Sequence, residues 1–192
     1  MTKLLILDKD GTLTRPKSGE HFVQSPEDQE LIPGVAEALA RYRAAGWVMA
    51  IASNQGGVEA GFKTLESVAA EMRYGMDLTG IDTALFCPFM GWAESCWQVP
   101  STDTPLIEWR DQVLIERPNH GACSGPTPRS MGCRKPQGGM LRIAQTIYNE
   151  LDNVLMVGDR PEDQGAAEAA GVAFAWAHDW IYMKMWSGVG LY

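Results

Sequence analysis

Four groups of polar side chains in this sequence have the types and the spacing that a reaction at phosphorus requires. They are Asp8 with Asp10, Ser53 with Asn54, Lys135 alone, and Asp159 with Asp163. A carboxylate beside a metal ion stays ionised and can act as a nucleophile, while a second carboxyl two residues away can protonate a leaving oxygen. Serine hydroxyls, backbone amides and a lysine stabilise phosphoryl oxygens, and carboxylates with water suit Mg²⁺.

The elements that must position these groups alternate between short apolar runs and helical patterns, which predicts an α/β fold. Strands are predicted at 4–7, 47–52, 83–87, 153–157 and 172–177, and helices at 33–45, 65–74, 137–150 and 161–170. We expect one domain over residues 1–192, with a three-layer Rossmann-like fold and a mainly parallel central sheet. Because ligands bind where parallel strands end, the four polar groups are predicted to share a cleft.

The segment 88–135 has the weakest pattern of the chain. It is rich in proline and holds Trp92, Trp97 and Trp109. We expect an irregular loop or insertion here, with a short strand near 112–116. Long loops within a compact domain are usually functional or disordered.

The composition limits the partners that the protein can have. The net charge is −8 and the pI is about 4.9, so nothing attracts the chain generally to nucleic acid or anionic membranes. No apolar run is long enough to cross a bilayer, and the start lacks the features of a signal peptide. We therefore expect a cytoplasmic protein, in which the four cysteines do not imply disulfides.

The segment Asp8-Lys-Asp-Gly-Thr-Leu-Thr resembles the first motif of the haloacid dehalogenase (HAD) superfamily of phosphatases. Ser53, Lys135 and the segment from Gly158 to Asp163 match the second, third and fourth motifs in the same order. The resemblance extends from residue 5 to about residue 175. It implies a magnesium-dependent phosphomonoester phosphatase that works through an aspartyl-phosphate intermediate.

The resemblance also implies a catalytic role for each matching residue. Asp8 would attack phosphorus, and Asp10 would protonate the leaving alcohol and then activate the hydrolytic water. Ser53 would hydrogen-bond a phosphoryl oxygen. Lys135 would neutralise charge on both the nucleophile and the phosphate.

For the metal, the resemblance implies that Asp159 binds Mg²⁺ together with Asp8 and the backbone carbonyl of Asp10. Asp163 would act in the metal's first shell or just outside it. An alternative for Asp163 is a carboxylate that favours the dipole at the first turn of a helix.

Ser53-Asn-Gln and Cys133-Arg-Lys-Pro resemble one branch of the superfamily, subfamily IIIA. This branch holds heptose-bisphosphate phosphatases, histidinol-phosphate phosphatases and polynucleotide 3′-phosphatases, and its members lack a large cap domain. The resemblance implies that Asn54, beside Ser53, and Arg134 bind phosphate or substrate. An arginine fork suits a second phosphate or carboxylate.

Some members of this branch carry a zinc loop, with Cys-x-His followed later by Cys-x-Cys. Cys87 and Cys133 occupy its outer positions, but Phe89 and Met131 replace the other two ligands. The residues that remain available to complete a zinc site are Cys96, Cys123 and His120. The sequence therefore leaves a bound zinc ion as an alternative, although the departures from the motif favour buried free thiols.

Two substrate classes compete. Arg15 and Lys17 resemble the corresponding region of polynucleotide 3′-phosphatases, and the tryptophans of segment 88–135 can stack on bases. These features make a 3′-phosphate on a DNA end the first candidate substrate. The alternative is a small metabolite such as a heptose bisphosphate or histidinol phosphate. A catalytically silent binding module would lack a catalytic group, and none is missing; the oligomeric state is left open.

Overall fold

The structure is a computed structural model that describes residues 2–100, 105–110, 113–115 and 132–182. The strands are β1 (Thr2–Leu7), β2 (Thr14–Arg15), β3 (Glu30–Leu31), β4 (Trp47–Asn54), β5 (Thr83–Cys87), β6 (Ser95–Pro100), β7 (Ile107–Arg110), β8 (Val113–Ile115), β9 (Leu151–Gly158) and β10 (Ala173–Trp176). The helices are α1 (Val35–Ala44), α2 (Leu65–Thr79), α3 (Gly139–Tyr148), α4 (Pro161–Ala170) and α5 (Ala177–Tyr182).

Eight strands form one sheet in the order β10-β9-β1-β4-β5-β6-β7-β8. The first five of these are parallel, and β6, β7 and β8 extend the sheet in antiparallel fashion. Strand β1 lies between β4 and β9, so the ends of these three strands are neighbours. The predicted α/β fold with a mainly parallel sheet is confirmed.

The side chains of β1 alternate between the two faces of the sheet. Leu5 and Leu7 pack with α1, α2 and α5, whereas Leu4 and Ile6 pack with α3 and α4. All four are fully buried, as in a sheet that is covered by helices on both sides. This arrangement gives the three layers that the sequence predicts.

No helix in the described part of the chain is both long and apolar enough to span a bilayer.

Helix α2 continues to Thr79, past the end predicted at residue 74. It begins at a capping box in which the Thr64 side chain accepts from the Ser67 amide, and Gly80 ends it in the left-handed region. Gly75 lies inside the helix and not at its end, and it packs close to the side chain of Lys9. Strand β4 is connected to β5 by a loop over 55–64 and by this helix, with no large cap domain between the two strands.

Part of the segment predicted as an irregular loop is regular. Strands β6, β7 and β8 lie between residues 95 and 115 and pair in a simple meander next to β5. Only some residues of β6 and β7 are buried, and polar residues lie between them, so these strands lack the continuous apolar runs that identified the parallel ones. Helix α5 was likewise not predicted, because six residues are too few for a helical period to be visible.

Candidate active site

The turn after β1 places two carboxylates at the edge of the sheet where the parallel strands end. The amide of Asp8 donates to the carbonyl of Val157 in β9 (2.9 Å), and the Lys9 carbonyl accepts from two amides further along the turn. Gly11 has φ +91°, and a Cβ there would lie 2.4 Å from Oδ2 of Asp159. The turn therefore requires glycine at this position, both for its backbone conformation and for the close approach of Asp159.

Lys135 lies between two carboxylates. Its Nζ is 2.5 Å from Oδ1 of Asp8 and 2.6 Å from Oδ1 of Asp163, and it also donates to the carbonyl of Ala52 (2.8 Å). All three ionised groups are at least 94% buried. Burial opposes the charge of the lysine, but Asp8 and Asp163 outweigh it and raise the pKa of Lys135. The ammonium therefore stays charged beside Asp8.

The predicted contact of Asn54 with phosphate or substrate stays a prediction, and the structure shows how its side chain is held. Its side-chain amide donates to the carbonyl of Lys135 (2.9 Å), and its Oδ1 accepts from the amide of Lys135 (3.0 Å). Both polar atoms of the side chain are thus used by one backbone residue. Asn54 joins the end of β4 to the loop before α3, and so holds Lys135 in place.

Replacing Asn54 with alanine should lower stability by about 1–3 kcal/mol, because two backbone groups of Lys135 lose their partners. It should also reduce kcat about 10-fold or more, since Lys135 loses its fixed position. Chemical denaturation and steady-state kinetics measure both effects. Asn153→Ala, in β9, is the matched control; equal effects in the two variants would contradict the role assigned to Asn54.

Gln55 connects the second motif to the first. Its Nε2 donates to Oδ2 of Asp10 (2.8 Å) and to Oγ of Ser53 (2.9 Å). Ser53 is 1% exposed and follows the buried residues of β4. The sequence signal for Gln55 is its position directly after Ser53 and Asn54 in the second motif, but no role for this residue was predicted from it.

Asp8, Asp159 and Asp163 form a carboxylate cluster. One ligand atom from each lies within 4.8 Å of the others, and no other group of three potential metal ligands this compact occurs among the described residues. Asp163 accepts from the amide of Arg160 (3.1 Å), and Thr12 donates to Asp159 (3.3 Å). Three hard oxygen donors, one of them exposed, fit Mg²⁺, which retains several water ligands.

The electrostatics of the cluster also fit a cation. Burial raises the pKa of Asp8 to about 7; Lys135 opposes this, while Asp163 and Asp10 add to it. Burial and Asp163 likewise raise the pKa of Asp159. A divalent cation bound here would reverse these shifts, because it favours the charged form of each carboxylate.

The model of the family described as polynucleotide kinase 3 phosphatase matches residues 3–180. The chain belongs to the polynucleotide kinase 3 phosphatase family. Its fold, its motifs and its relatives place it among the subfamily IIIA phosphatases of the HAD superfamily, which are phosphoric monoester hydrolases.

Two curated relatives are heptose phosphatases. The D-glycero-beta-D-manno-heptose-1,7-bisphosphate 7-phosphatase of Pseudomonas putida is 31% identical over 175 residues, which cover 88% of this chain and 78% of that protein. The enzyme of the same name from Bordetella bronchiseptica is 30% identical over 177 residues, covering 89% and 78%.

A solved structure supports the same superfamily. The crystal structure of D,D-heptose 1,7-bisphosphate phosphatase from B. bronchiseptica, complexed with magnesium and phosphate, has a TM-score of 0.59 and 27% identity. The match covers 90% of this chain and 79% of that one. The magnesium in that structure and the carboxylate cluster of this chain both support Mg²⁺ as the cofactor of this protein.

Magnesium affinity in this family member should fall as the pH is lowered, because protons compete for Asp8. With the pKa of Asp8 raised to about 7 in the metal-free protein, the carboxylate is mostly protonated at pH 6 and mostly ionised at pH 8. The Kd for Mg²⁺ should therefore be about tenfold higher at pH 6 than at pH 8. Titration calorimetry at the two values measures it; an equal Kd would contradict this electrostatic account.

Arg134 lies beside the site, directly before Lys135. Its Nη1 donates to the carbonyl of Phe89 (2.6 Å), which leaves other donors of the guanidinium for a ligand. Exposed Met90 is a neighbour in this region, since a Cβ on Gly56 would lie 3.0 Å from Met90 and 3.2 Å from Arg134. The predicted contact of Arg134 with substrate stays a prediction.

Three cysteines of the predicted zinc set are described, and all are buried. Burial raises the pKa of Cys87 to about 12, and burial with a hydrogen bond to Cys133 raises that of Cys96 well above its usual value. These shifts oppose the thiolate form that zinc requires. Cys123, His120 and Met131 lie outside the described residues, so the zinc alternative stays untested.

The features that favoured a DNA end are mostly used in local contacts. Trp97 packs against Phe86 and Phe89, and buried Trp109 donates to the Gln98 side chain (3.0 Å). Trp92 differs, with 61% of its surface exposed. Of the two basic residues, Arg15 pairs with Glu30 (2.8 Å) and Lys17 donates to the Glu27 carbonyl (2.8 Å).

Proposed function

We propose that this chain hydrolyses the phosphomonoester of a small phosphorylated metabolite, with a sugar bisphosphate as the leading substrate class. The sequence alone put a DNA 3′-phosphate first. The observation that carries the revised order is the pair of heptose-bisphosphate phosphatases that are 30–31% identical over almost nine-tenths of the chain.

In the proposed reaction Asp8 is the nucleophile. Its carboxylate forms a bond to phosphorus while the bond from phosphorus to the leaving alcohol breaks. Lys135, held 2.5 Å from Asp8, offsets the negative charge of the carboxylate and of the incoming phosphoryl group. Ser53 accepts from Gln55, so its own hydroxyl proton can be donated to a phosphoryl oxygen.

Asp10 is the proposed acid and base. It donates a proton to the leaving oxygen, and then accepts a proton from the water that hydrolyses the phosphorylated Asp8. Asp10 and Ser53 are bridged by a single amide group of Gln55, so both face one position. That position is where a phosphoryl group and its leaving oxygen would lie.

Asp8, Asp159 and Asp163, with the backbone carbonyl of Asp10, are the groups that would hold Mg²⁺. The ion would supply positive charge that keeps Asp8 ionised and screens its repulsion by the phosphate. Asp163 has a second function, because it also fixes Lys135 at 2.6 Å.

A sugar bisphosphate also suits Arg134. The substrate has a second anionic group, and the free donors of the guanidinium match such a group in geometry and charge. A net charge of −8 does not hinder a small ligand that meets only this local basic site. A cytoplasmic location remains a prediction from the sequence.

A 3′-phosphate on a DNA end is the second candidate. The family model that matches residues 3–180 is named for a polynucleotide phosphatase, and Trp92 is exposed close to Gly132, two residues before Arg134. An exposed tryptophan can stack on a terminal base, for about 1–3 kcal/mol. The overall acidity of the chain weakens this candidate, since long contacts with DNA need basic residues.

The test is phosphate release from heptose 1,7-bisphosphate and from a short DNA with a 3′-phosphate, each with Mg²⁺ and with excess chelator. We expect the sugar to be preferred by at least about 100-fold in kcat/KM, and chelation to stop the reaction reversibly. Preference for DNA would select the second candidate. Activity that persists in excess chelator would contradict the metal role.

A further inference from the structure

Lys9 lies inside the first motif, between the two catalytic aspartates, and it is completely buried. Its ammonium group forms an ion pair with Oδ1 of Asp10 and donates to Oε1 of Gln29 (2.9 Å). Asp10 is its one ion-pair partner among the described residues. Burying an ammonium ion is costly unless it is paired, so this lysine is tied to the state of Asp10.

The ammonium group of Lys9 is also held in place by Gln29. Gln29 is also completely buried, and its Nε2 donates to the carbonyls of Pro26 (2.8 Å) and Glu71 (3.1 Å). Gln29 therefore presents only its Oε1 to Lys9. Gly75 in α2 leaves room for the lysine, since a Cβ there would lie 3.6 Å from its Cδ.

Asp10 itself is much less enclosed. Its side chain is 41% exposed, and its two oxygens are held on different sides, Oδ1 by Lys9 and Oδ2 by Gln55. An exposed carboxylate without such anchors would populate several rotamers. Lys9 and Gln55 each donate to one oxygen of the carboxyl group, so together they fix its orientation.

We propose that Lys9 is a positioning residue that fixes the orientation of the Asp10 carboxyl group, with Oδ2 on the Ser53 side. This inference rests on the proposed function, in which Asp10 is the acid. In the first step the bond from Asp8 to phosphorus forms, the bond to the leaving oxygen breaks, and a proton passes from the Asp10 carboxyl group to that oxygen. Lys9 transfers nothing and keeps its own protons.

The consequence is a dependence on the leaving group. An alkyl oxygen must be protonated as it leaves, whereas a nitrophenolate is stable without a proton. Loss of the Lys9 contact should therefore slow alkyl esters far more than nitrophenyl esters. A purely structural defect would slow both esters by the same factor.

The experiment compares kcat/KM for glycerol phosphate and for p-nitrophenyl phosphate in Lys9→Met. We expect the alkyl ester to lose at least about 30-fold more than the aryl ester. Asp10→Asn should show the same signature. Adding Lys9→Met to Asp10→Asn should then cost less than about threefold more, because residues that act through one group are not additive.

Lys63→Met is the matched control, since Lys63 is also a lysine in an ion pair, with Glu71 at 2.7 Å, but it does not contact Asp10. It should change both esters equally. If Lys9→Met does not fold, Gln29→Leu replaces it, because this variant removes the anchor of Lys9 and should shift the ester ratio in the same direction.

Equal losses with the two esters in the folded variants, or additive losses in the double variant, would overturn the proposal. Failure of the proposed function is distinguishable, because wild-type protein would then release no Mg²⁺-dependent phosphate from either ester. Activity that survives Asp8→Asn would have the same meaning.

Discussion

Asp8→Asn should reduce phosphate release by at least about 10⁴-fold, because a neutral amide cannot attack phosphorus. The fold should persist. Asparagine has the same shape as aspartate, and its Oδ1 can still accept from Nζ of Lys135. Burial already raises the pKa of Asp8 to about 7, so removing this charge should leave the free energy of unfolding unchanged or larger.

Steady-state kinetics with Mg²⁺ and chemical denaturation measure both parts of this prediction. Asp77→Asn, an identical chemical change at an exposed position of α2, is the control and should leave both quantities unchanged. Retained activity in a preparation of Asp8→Asn that is free of contaminating phosphatase would contradict the nucleophile assignment.

Lys135→Met should have the second largest effect, on both activity and stability. The ammonium is the cation that lies between the buried carboxylates of Asp8 and Asp163, and it also satisfies the carbonyl of Ala52. Removing one partner from a buried ion pair costs about 3–5 kcal/mol. Loss of positive charge at the phosphoryl group should reduce kcat by about 10²–10³-fold or more.

The stability loss in Lys135→Met should depend on pH. Without the lysine, the two carboxylates repel each other when both are ionised, and a proton on either one relieves the repulsion. The loss should therefore be larger at pH 8 than at pH 5 in metal-free protein. Urea denaturation at the two values measures it, with Lys63→Met as the control for a more exposed ion pair; equal losses at both values would contradict this reading of the site.

The parts of the fold that position the catalytic aspartates could be predicted from sequence. Strands β1 and β9 are short apolar runs buried on both faces, and helix α4 begins at Pro161 and ends before Gly171 as its capping signals indicate. The short strand expected near 112–116 is β8, but β6 and β7 could not be predicted, because antiparallel strands at the end of a sheet need only partial apolar patterning.

What the sequence could not predict at the site has a different cause. A residue type shows what chemistry is available, but the direction of the side chain depends on neighbours that are distant in sequence. Asn54 is the example, since its amide is used by Lys135, 81 residues away. Lys9 and Gln29 were missed for the same reason, because nothing local predicts that either residue is buried beside the other.

The most direct test of the proposed reaction is to trap the phosphorylated enzyme. Asp10→Asn protein, which should form the intermediate but hydrolyse it slowly, is mixed with p-nitrophenyl phosphate and Mg²⁺, quenched in acid and analysed by peptide mass spectrometry. We expect one phosphoryl group on the peptide that contains Asp8, and none when Asp8 is also replaced by asparagine. Release of nitrophenol in a single turnover with no phosphoryl group on Asp8, or with one on another residue, would contradict it.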